Sequence, residues 1–149
     1  MANSINIKNK KAYRDFAIDE KLVAGIQLLG TEIKSIRKGK VSLAESYCYY
    51  EAGELYVKGL HIAEYELGTH KNHLPLRVRK LLLNRKELQK WDKKVKEKGL
   101  TIIALRLFIT DNGYAKLEIA LARGKREFDK REDIKKKDLN RESGRRIKM

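Results

Sequence analysis

The chain has 149 residues, enough for one compact domain and little more. Apolar residues make up 42%, compatible with a single core, whereas charged residues reach 37%, well above the usual quarter. Thirty-five Lys and Arg against twenty Asp and Glu leave a net charge of +15 on 17.3 kDa. That excess must sit on the surface and calls for a polyanion, and for a protein of this size phosphates are the expected partner. No apolar run approaches the roughly 18 residues that span a bilayer, so no membrane role is expected. The polar, basic start is unlike a secretory leader. A single cysteine, Cys48, excludes an intrachain disulfide, so a reducing, cytoplasmic location is the expectation.

In chain order, residues 1–12 read as a basic lead-in. Tyr13 to Leu29 alternates apolar and polar positions and reads as one long or bent strand, with Asp19-Glu20-Lys21 at the bend. Gly30-Thr31 breaks it. Glu32 to Lys38 reads as a short helix started by Thr31 and ended by Gly39, with Ile33 and Ile36 on one face and Lys34, Arg37 and Lys38 turned away. Tyr47–Tyr50 and Leu55–Val57, joined by a glycine-containing loop, predict a hairpin. Leu60 to Tyr65 adds a short strand, and residues 66–76, with the only proline, form a loop.

The clearest helix is Arg85 to Lys98. Asn84 is its N-cap, Glu87 the capping-box partner, Leu88, Trp91 and Val95 the apolar stripe, and Gly99 the stop. Thr101–Thr110 and Tyr114–Ala122 predict a second hairpin around Asp111-Asn112-Gly113. Short strands in hairpins with two or three helices suit a closed or nearly closed antiparallel β-barrel, for which the oligonucleotide-binding barrel is a candidate. The fold class is therefore mainly β with flanking α over residues 1–122. Residues 123–149 hold twelve Lys or Arg and six Asp or Glu with no continuous apolar stripe. They read as a tail that is mobile alone. Glu132–Lys136 and Asp133–Lys137 are favourable i, i+4 pairs, and Lys130, Lys137, Arg141 and Arg145 share one side of a helix, so the tail is expected to become helical against phosphate.

Catalytic patterns are lacking. Gly39-Lys40 and Gly124-Lys125 have no preceding glycine at phosphate-loop spacing. Cys48 stands among tyrosines and reads as a small core residue, and His70 and His73 beside Pro75 have no further ligands to complete a metal site. No enzyme, cofactor or metal is expected, and a monomer is the default. The basic residues cluster in three sets besides the tail: Lys8, Lys10, Lys11 and Arg14; Lys34, Arg37, Lys38 and Lys40; Arg77, Arg79 and Lys80. Folded RNA suits such clusters, since it is recognised through phosphates, 2′-hydroxyls and exposed bases. Tyr13, Tyr47, Tyr49, Tyr50 and Tyr114 are stacking candidates, most of them expected to be structural. A ribosomal protein or translation factor binding ribosomal RNA directly is the alternative, and a nuclease or RNA-modifying enzyme a more distant one.

Four segments resemble the small protein B family, the transfer-messenger RNA-binding proteins. They are Asn9-Lys10-Lys11-Ala12 with Asp15, Gly30 through Lys40, Arg77 through Leu83, and Ala120 through Arg126 followed by Asp129-Lys130-Arg131 and Ile134-Lys135. The resemblance implies an oligonucleotide-binding-type barrel that holds the tRNA-like domain of transfer-messenger RNA. It also implies a tail that enters the empty mRNA channel of a stalled small ribosomal subunit. Motif position assigns RNA binding to Asn9, Lys10, Lys11, Lys34, Arg37, Lys40, Arg77, Arg79, Lys80, Leu82 and Lys116. It assigns ribosome binding to Gly124, Lys125, Arg126, Phe128, Asp129, Lys130, Arg131, Ile134 and Lys135, with Lys137 and Arg141 on the same tail. Two positions depart from the family pattern. Val23 stands where an acidic residue is common, and Phe128 where an imidazole or phenol ring is common.

Overall fold

The computed structural model describes residues 5–68 and 72–124. Nine strands and three helices follow in the order β1 (Asn6–Lys8), α1 (Lys10–Asp15), β2 (Phe16–Ile26), α2 (Gly30–Arg37), β3 (Val41–Ser42), β4 (Tyr47–Glu51), β5 (Glu54–Lys58), β6 (His61–Ile62), β7 (Arg79–Leu82), α3 (Arg85–Lys98), β8 (Thr101–Ile109) and β9 (Ala115–Gly124). The main sheet runs β1-β8-β4-β5-β7-β2-β9, and β8 also pairs with β9, so six strands close on themselves. Every pairing is antiparallel. The expected barrel is present, and closure leaves few strand edges open. β3 and β6 form a separate two-stranded ribbon.

The core lies inside the ring. Leu55, Val57, Leu81, Leu107, Leu117, Ile119 and Leu121 fill it, and Trp91 and Leu88 of α3 pack against them. A smaller cluster of Ala12, Ile103, Leu105, Ala120 and Ala122 lies on the outside of β8 and β9, beneath α1. This explains the run Ile102–Leu105, in which four consecutive residues are buried. A strand covered on both faces has no reason to alternate.

Both hairpins and α3 match their expected places. The β4–β5 turn is made by Ala52 and Gly53, both at positive φ, the requirement of a two-residue hairpin turn. Asn84 accepts from the Glu87 amide at 2.8 Å, Glu87 accepts from the Asn84 amide at 3.2 Å, and Gly99 sits at φ +63°.

Three expectations are corrected and one further strand is found. First, residues 6–15 form β1 and α1 rather than a lead-in, and the long strand begins at Phe16, not Tyr13. Asn9 organises this segment: its Oδ1 accepts from the Ala12 amide, and its Nδ2 donates to the Leu43 and Ala104 carbonyls at 3.1 and 2.9 Å. The bend of β2 falls as expected near Asp19, where the register against β9 shifts. Second, Thr31 does not start α2, because its hydroxyl is bonded to His73 Nδ1 at 2.9 Å. The Leu29 amide is instead satisfied by the Glu32 carboxylate at 2.7 Å. Third, residues 79–82, for which no element was expected, form β7, whose inward side carries Arg79 and Leu81. Fourth, β9 continues two residues beyond Ala122, with Arg123 opposite Ala17 and Gly124 opposite Phe16.

Candidate nucleic-acid interface

Leu82 on β7, Gly25 on β2 and Lys116 on β9 stand abreast across three neighbouring strands. All three belong to the outward-facing set, since Leu81, Ala24 and Leu117 beside them are buried. A Cβ at Gly25 would come within 3.2 Å of Leu82 Cβ, so glycine keeps the space beside an apolar side chain that is itself 47% exposed. These residues line a groove of about 200 Å³ whose other walls are Ile33 of α2 and the β8–β9 turn with Tyr114. Tyr114, 68% exposed, is the most open tyrosine among the described residues. Arg37 approaches the same turn, its Nη2 lying 3.8 Å from the position a Cβ would take at Gly113. Among the described residues neither Arg37 nor Lys116 has an ion pair. An exposed leucine, an open phenol ring and two free cations thus surround one depression. That is the chemistry of a site for a folded nucleic acid, with apolar and aromatic contacts to base or sugar and charge for phosphate.

Farther along α2, Lys34 and Lys38 both place their ammonium groups 5.3 Å from the Tyr65 ring centroid. The ring is held by its backbone: the Tyr65 amide donates to Asn72 Oδ1 at 3.2 Å, and Asn72 Nδ2 donates to the Tyr65 carbonyl at 2.8 Å. Two exposed lysines are thereby kept on one side of α2, neither in a close ion pair among the described residues. Lys40, by contrast, is paired with Glu66.

The third basic set is corrected by the structure. Arg79 is completely buried; its guanidinium pairs with Glu32 and donates to the Leu60 and Pro75 carbonyls, the latter at 3.2 Å. It is a core residue and not a surface contact for phosphate. Arg77 is committed to the same carboxylate, 2.6 Å from Glu32 Oε1, and to the Gln27 carbonyl. Burial alone would push the Glu32 carboxyl up, but hydrogen bonds from Arg77, the Leu29 amide and Arg79 outweigh it and hold the group below the usual carboxylate range. Sequence reasoning missed Glu32. The available signal was its position three residues after Leu29, where an acid satisfies the first amide of a helix. Arg77 and Lys80 keep about a third of their side chains exposed, and Lys80 is loosely paired with Glu54 at 3.8 Å.

The N-terminal set lies elsewhere. Asn9 is buried in its capping role, which removes it as an RNA contact. Lys10 and Lys11 sit on α1, which leads into β2 at Phe16, about 30 Å along that strand from Gly25. Lys11 pairs with Glu45 at 3.0 Å. Val23 lies on the outer face two residues before Gly25, 48% exposed, so the groove lacks an acid there. Cys48 is buried, and burial pushes its thiol up, the wrong direction for a nucleophile. His73 is a core residue, its two ring nitrogens bonded to Thr31 Oγ1 and the Ile62 carbonyl. His70, and the tail residues Lys125, Arg126, Phe128, Asp129, Lys130, Arg131, Ile134, Lys135, Lys137 and Arg141, lie outside the described residues; Gly124 ends β9. No helix among the described residues is long and apolar enough to cross a membrane.

A family model described as SmpB protein matches residues 6–149. This chain belongs to the SmpB family. An SsrA-binding protein of Bacteroides thetaiotaomicron is 53% identical over 145 residues, covering 97% of each chain. An SsrA-binding protein of Phocaeicola vulgatus is 55% identical over 144 residues, covering 97% of this chain and 96% of its own. Among solved structures, a chain described under "tmRNA-SmpB: a journey to the center of the bacterial ribosome" matches with a TM-score of 0.71 at 44% identity, covering 88% of this chain and 95% of that one. The family is one of RNA-binding adaptors. In this SmpB-family member two of the segments that first suggested the family, Gly30 through Lys40 and Arg77 through Leu83, contribute Ile33 and Leu82 to the groove between β7, β2, β9 and α2.

Proposed function

We propose that the chain binds the tRNA-like domain of transfer-messenger RNA and carries it to stalled ribosomes for trans-translation. The observation that carries this reading is the convergence of Leu82, Lys116, Arg37 and Tyr114 on one groove, from segments far apart in sequence. The names and setting of its relatives support the choice of RNA: they are called SsrA-binding proteins, and the structural relative is a tmRNA–SmpB assembly in the ribosome. In this reading Leu82 and Tyr114 lie against sugar and base, while Arg37, Lys116 and the Lys34–Lys38 pair meet phosphates. The tail, residues 123–149, serves the small subunit: Lys125, Arg126, Lys130, Arg131, Lys135, Lys137 and Arg141 meet ribosomal RNA phosphates in the empty mRNA channel.

Sequencing the RNA that copurifies with the chain tests the partner. A tRNA-like RNA is expected, and ribosomal RNA without it would favour direct ribosomal-RNA binding instead. The groove is tested by Leu82→Asp, which places a carboxylate beside the phosphates. Affinity for the tRNA-like RNA should fall by about tenfold or more, since like-charge placement in an interface costs several kcal/mol. Unchanged affinity would remove the groove from the interface. Lys116→Ala should lower the log–log salt slope by about 0.7 to 0.9 if its one phosphate contact is lost.

A further inference from the structure

The β4–β5 hairpin carries a feature that the groove does not use. Tyr47 and Tyr49 on β4 and Tyr56 on β5 share the outer face of the barrel, because Cys48, Leu55 and Val57 between them point inward and are buried. The Tyr49 and Tyr56 rings are stacked at 5.9 Å between centroids, and Tyr47 lies 6.4 Å beyond Tyr49. Tyr56 stands opposite both Tyr49 and Lys80, and Tyr47 stands opposite Lys58. A shallow depression of about 440 Å³ opens over this row, lined by Tyr47, Tyr49, Tyr50, Glu51 and Lys58. Tyr50 makes the contrast. Its hydroxyl donates to the Leu88 carbonyl at 2.8 Å, and burial pushes its phenol up to about 12, so that ring belongs to the packing of α3. Among the described residues the hydroxyls of the other three rings make no hydrogen bond to an element laid over them.

We propose that this tyrosine row is a second RNA surface on which unpaired nucleotides stack, with Lys58 and Lys80 receiving their phosphates. Stacking on aromatic faces between cations is how proteins hold single strands with little sequence preference. Charge sets the direction of the strand. Glu51 and Glu54 face one another at the turn end of the hairpin, where Lys80, 3.8 Å from Glu54, offsets only one of the two acids, while Lys58 lies unpaired among the described residues at the opposite end, so the phosphates run from Lys80 toward Lys58 and away from the turn. The proposal takes from the preceding reading only that the partner is RNA, and its site is separate from the groove.

The test uses the full chain and two oligoribonucleotides of about ten nucleotides, one oligouridylate and one abasic strand of equal charge. Every lysine-rich segment binds both strands alike, whereas a stacking platform binds only the strand with bases. The wild-type chain should prefer oligouridylate by about fivefold or more. Tyr49→Ala with Tyr56→Ala should abolish that preference, and Tyr49→Phe with Tyr56→Phe, which keeps both rings, should retain it. Circular dichroism checks that the variants are folded. A wild-type chain with no preference, or an alanine variant that keeps it, overturns the platform. So does polyglutamate that binds wild type more tightly than oligouridylate and loses that binding in the double alanine variant, which would mark a surface for an acidic protein. The tRNA-like RNA is measured in parallel with Leu82→Asp. Loss there with the preference intact separates a failure of the groove from a failure of the platform.

Discussion

Glu32 holds more of the structure than any basic residue that stands out in the sequence. It is fully buried, satisfies the Leu29 amide just ahead of α2, and receives Arg77 from the segment leading into β7 and Arg79 from β7 itself. α2 carries Arg37 and β7 carries Leu82, so one carboxylate sets the spacing of two walls of the groove. Glu32→Ala leaves Arg79 buried without a counter-charge and should cost about 3–5 kcal/mol in urea denaturation. A loss below about 1 kcal/mol would show that the pair is dispensable. Glu20 is a surface counterpart. Hydrogen bonds from Lys94 and then Lys90 lower its carboxyl to about 2. The folded value lies below the unfolded one, so the folded state binds fewer protons there. Its stabilisation is complete above about pH 4.3 and is lost as pH falls toward 2. The cluster faces solvent, so the contribution is about 1 kcal/mol or less. Glu20→Gln should remove that part of the acid limb of a stability–pH curve and leave the neutral limb shifted by no more than the same amount.

At the scale of elements, legibility follows how much apolar periodicity each one has. α3 was readable end to end because its two caps and its Leu88–Trp91–Val95 stripe agree. Asn84→Ala should cost about 1 kcal/mol by removing one half of the capping box, read as a lowered midpoint with an unchanged denaturant slope. An unchanged midpoint would mean that the cap is replaced by solvent. α1 was not readable because it buries only Ala12, so a six-residue helix shows Lys10, Lys11 and Arg14 and no stripe. β7 was hidden by its inward arginine: the pattern Arg-Lys-Leu-Leu looks like a basic run followed by an apolar one until Glu32 is placed behind Arg79. The two hairpins carry their turn residues locally, and those turns are where expected.

For the whole molecule, closure of β8 on β9 turns a set of hairpins into a rigid body that holds the groove residues from three strands and a helix in one place. β9 remains paired through Gly124. Removing residues 125–149 should therefore leave the unfolding midpoint and the affinity for the tRNA-like RNA nearly unchanged, yet abolish tagging on stalled ribosomes. Full tagging by the shortened chain would reject the ribosomal role of the tail.

Composition and local pattern were enough for the partner class, the barrel, both hairpins and α3, since charge balance, turn chemistry and helix caps are properties of neighbouring residues; the family was legible only through the resemblance of four motifs. Which cations face solvent was decided only in three dimensions. Arg79 and Lys80 are adjacent in the chain, but the pleat of β7 turns one into the core against Glu32 and the other outward. Leu82, Gly25 and Lys116 become a site only because strand register sets them side by side. Pairing between distant strands obeys closure of the sheet and burial of its inner face, and neither is written in any short stretch of sequence.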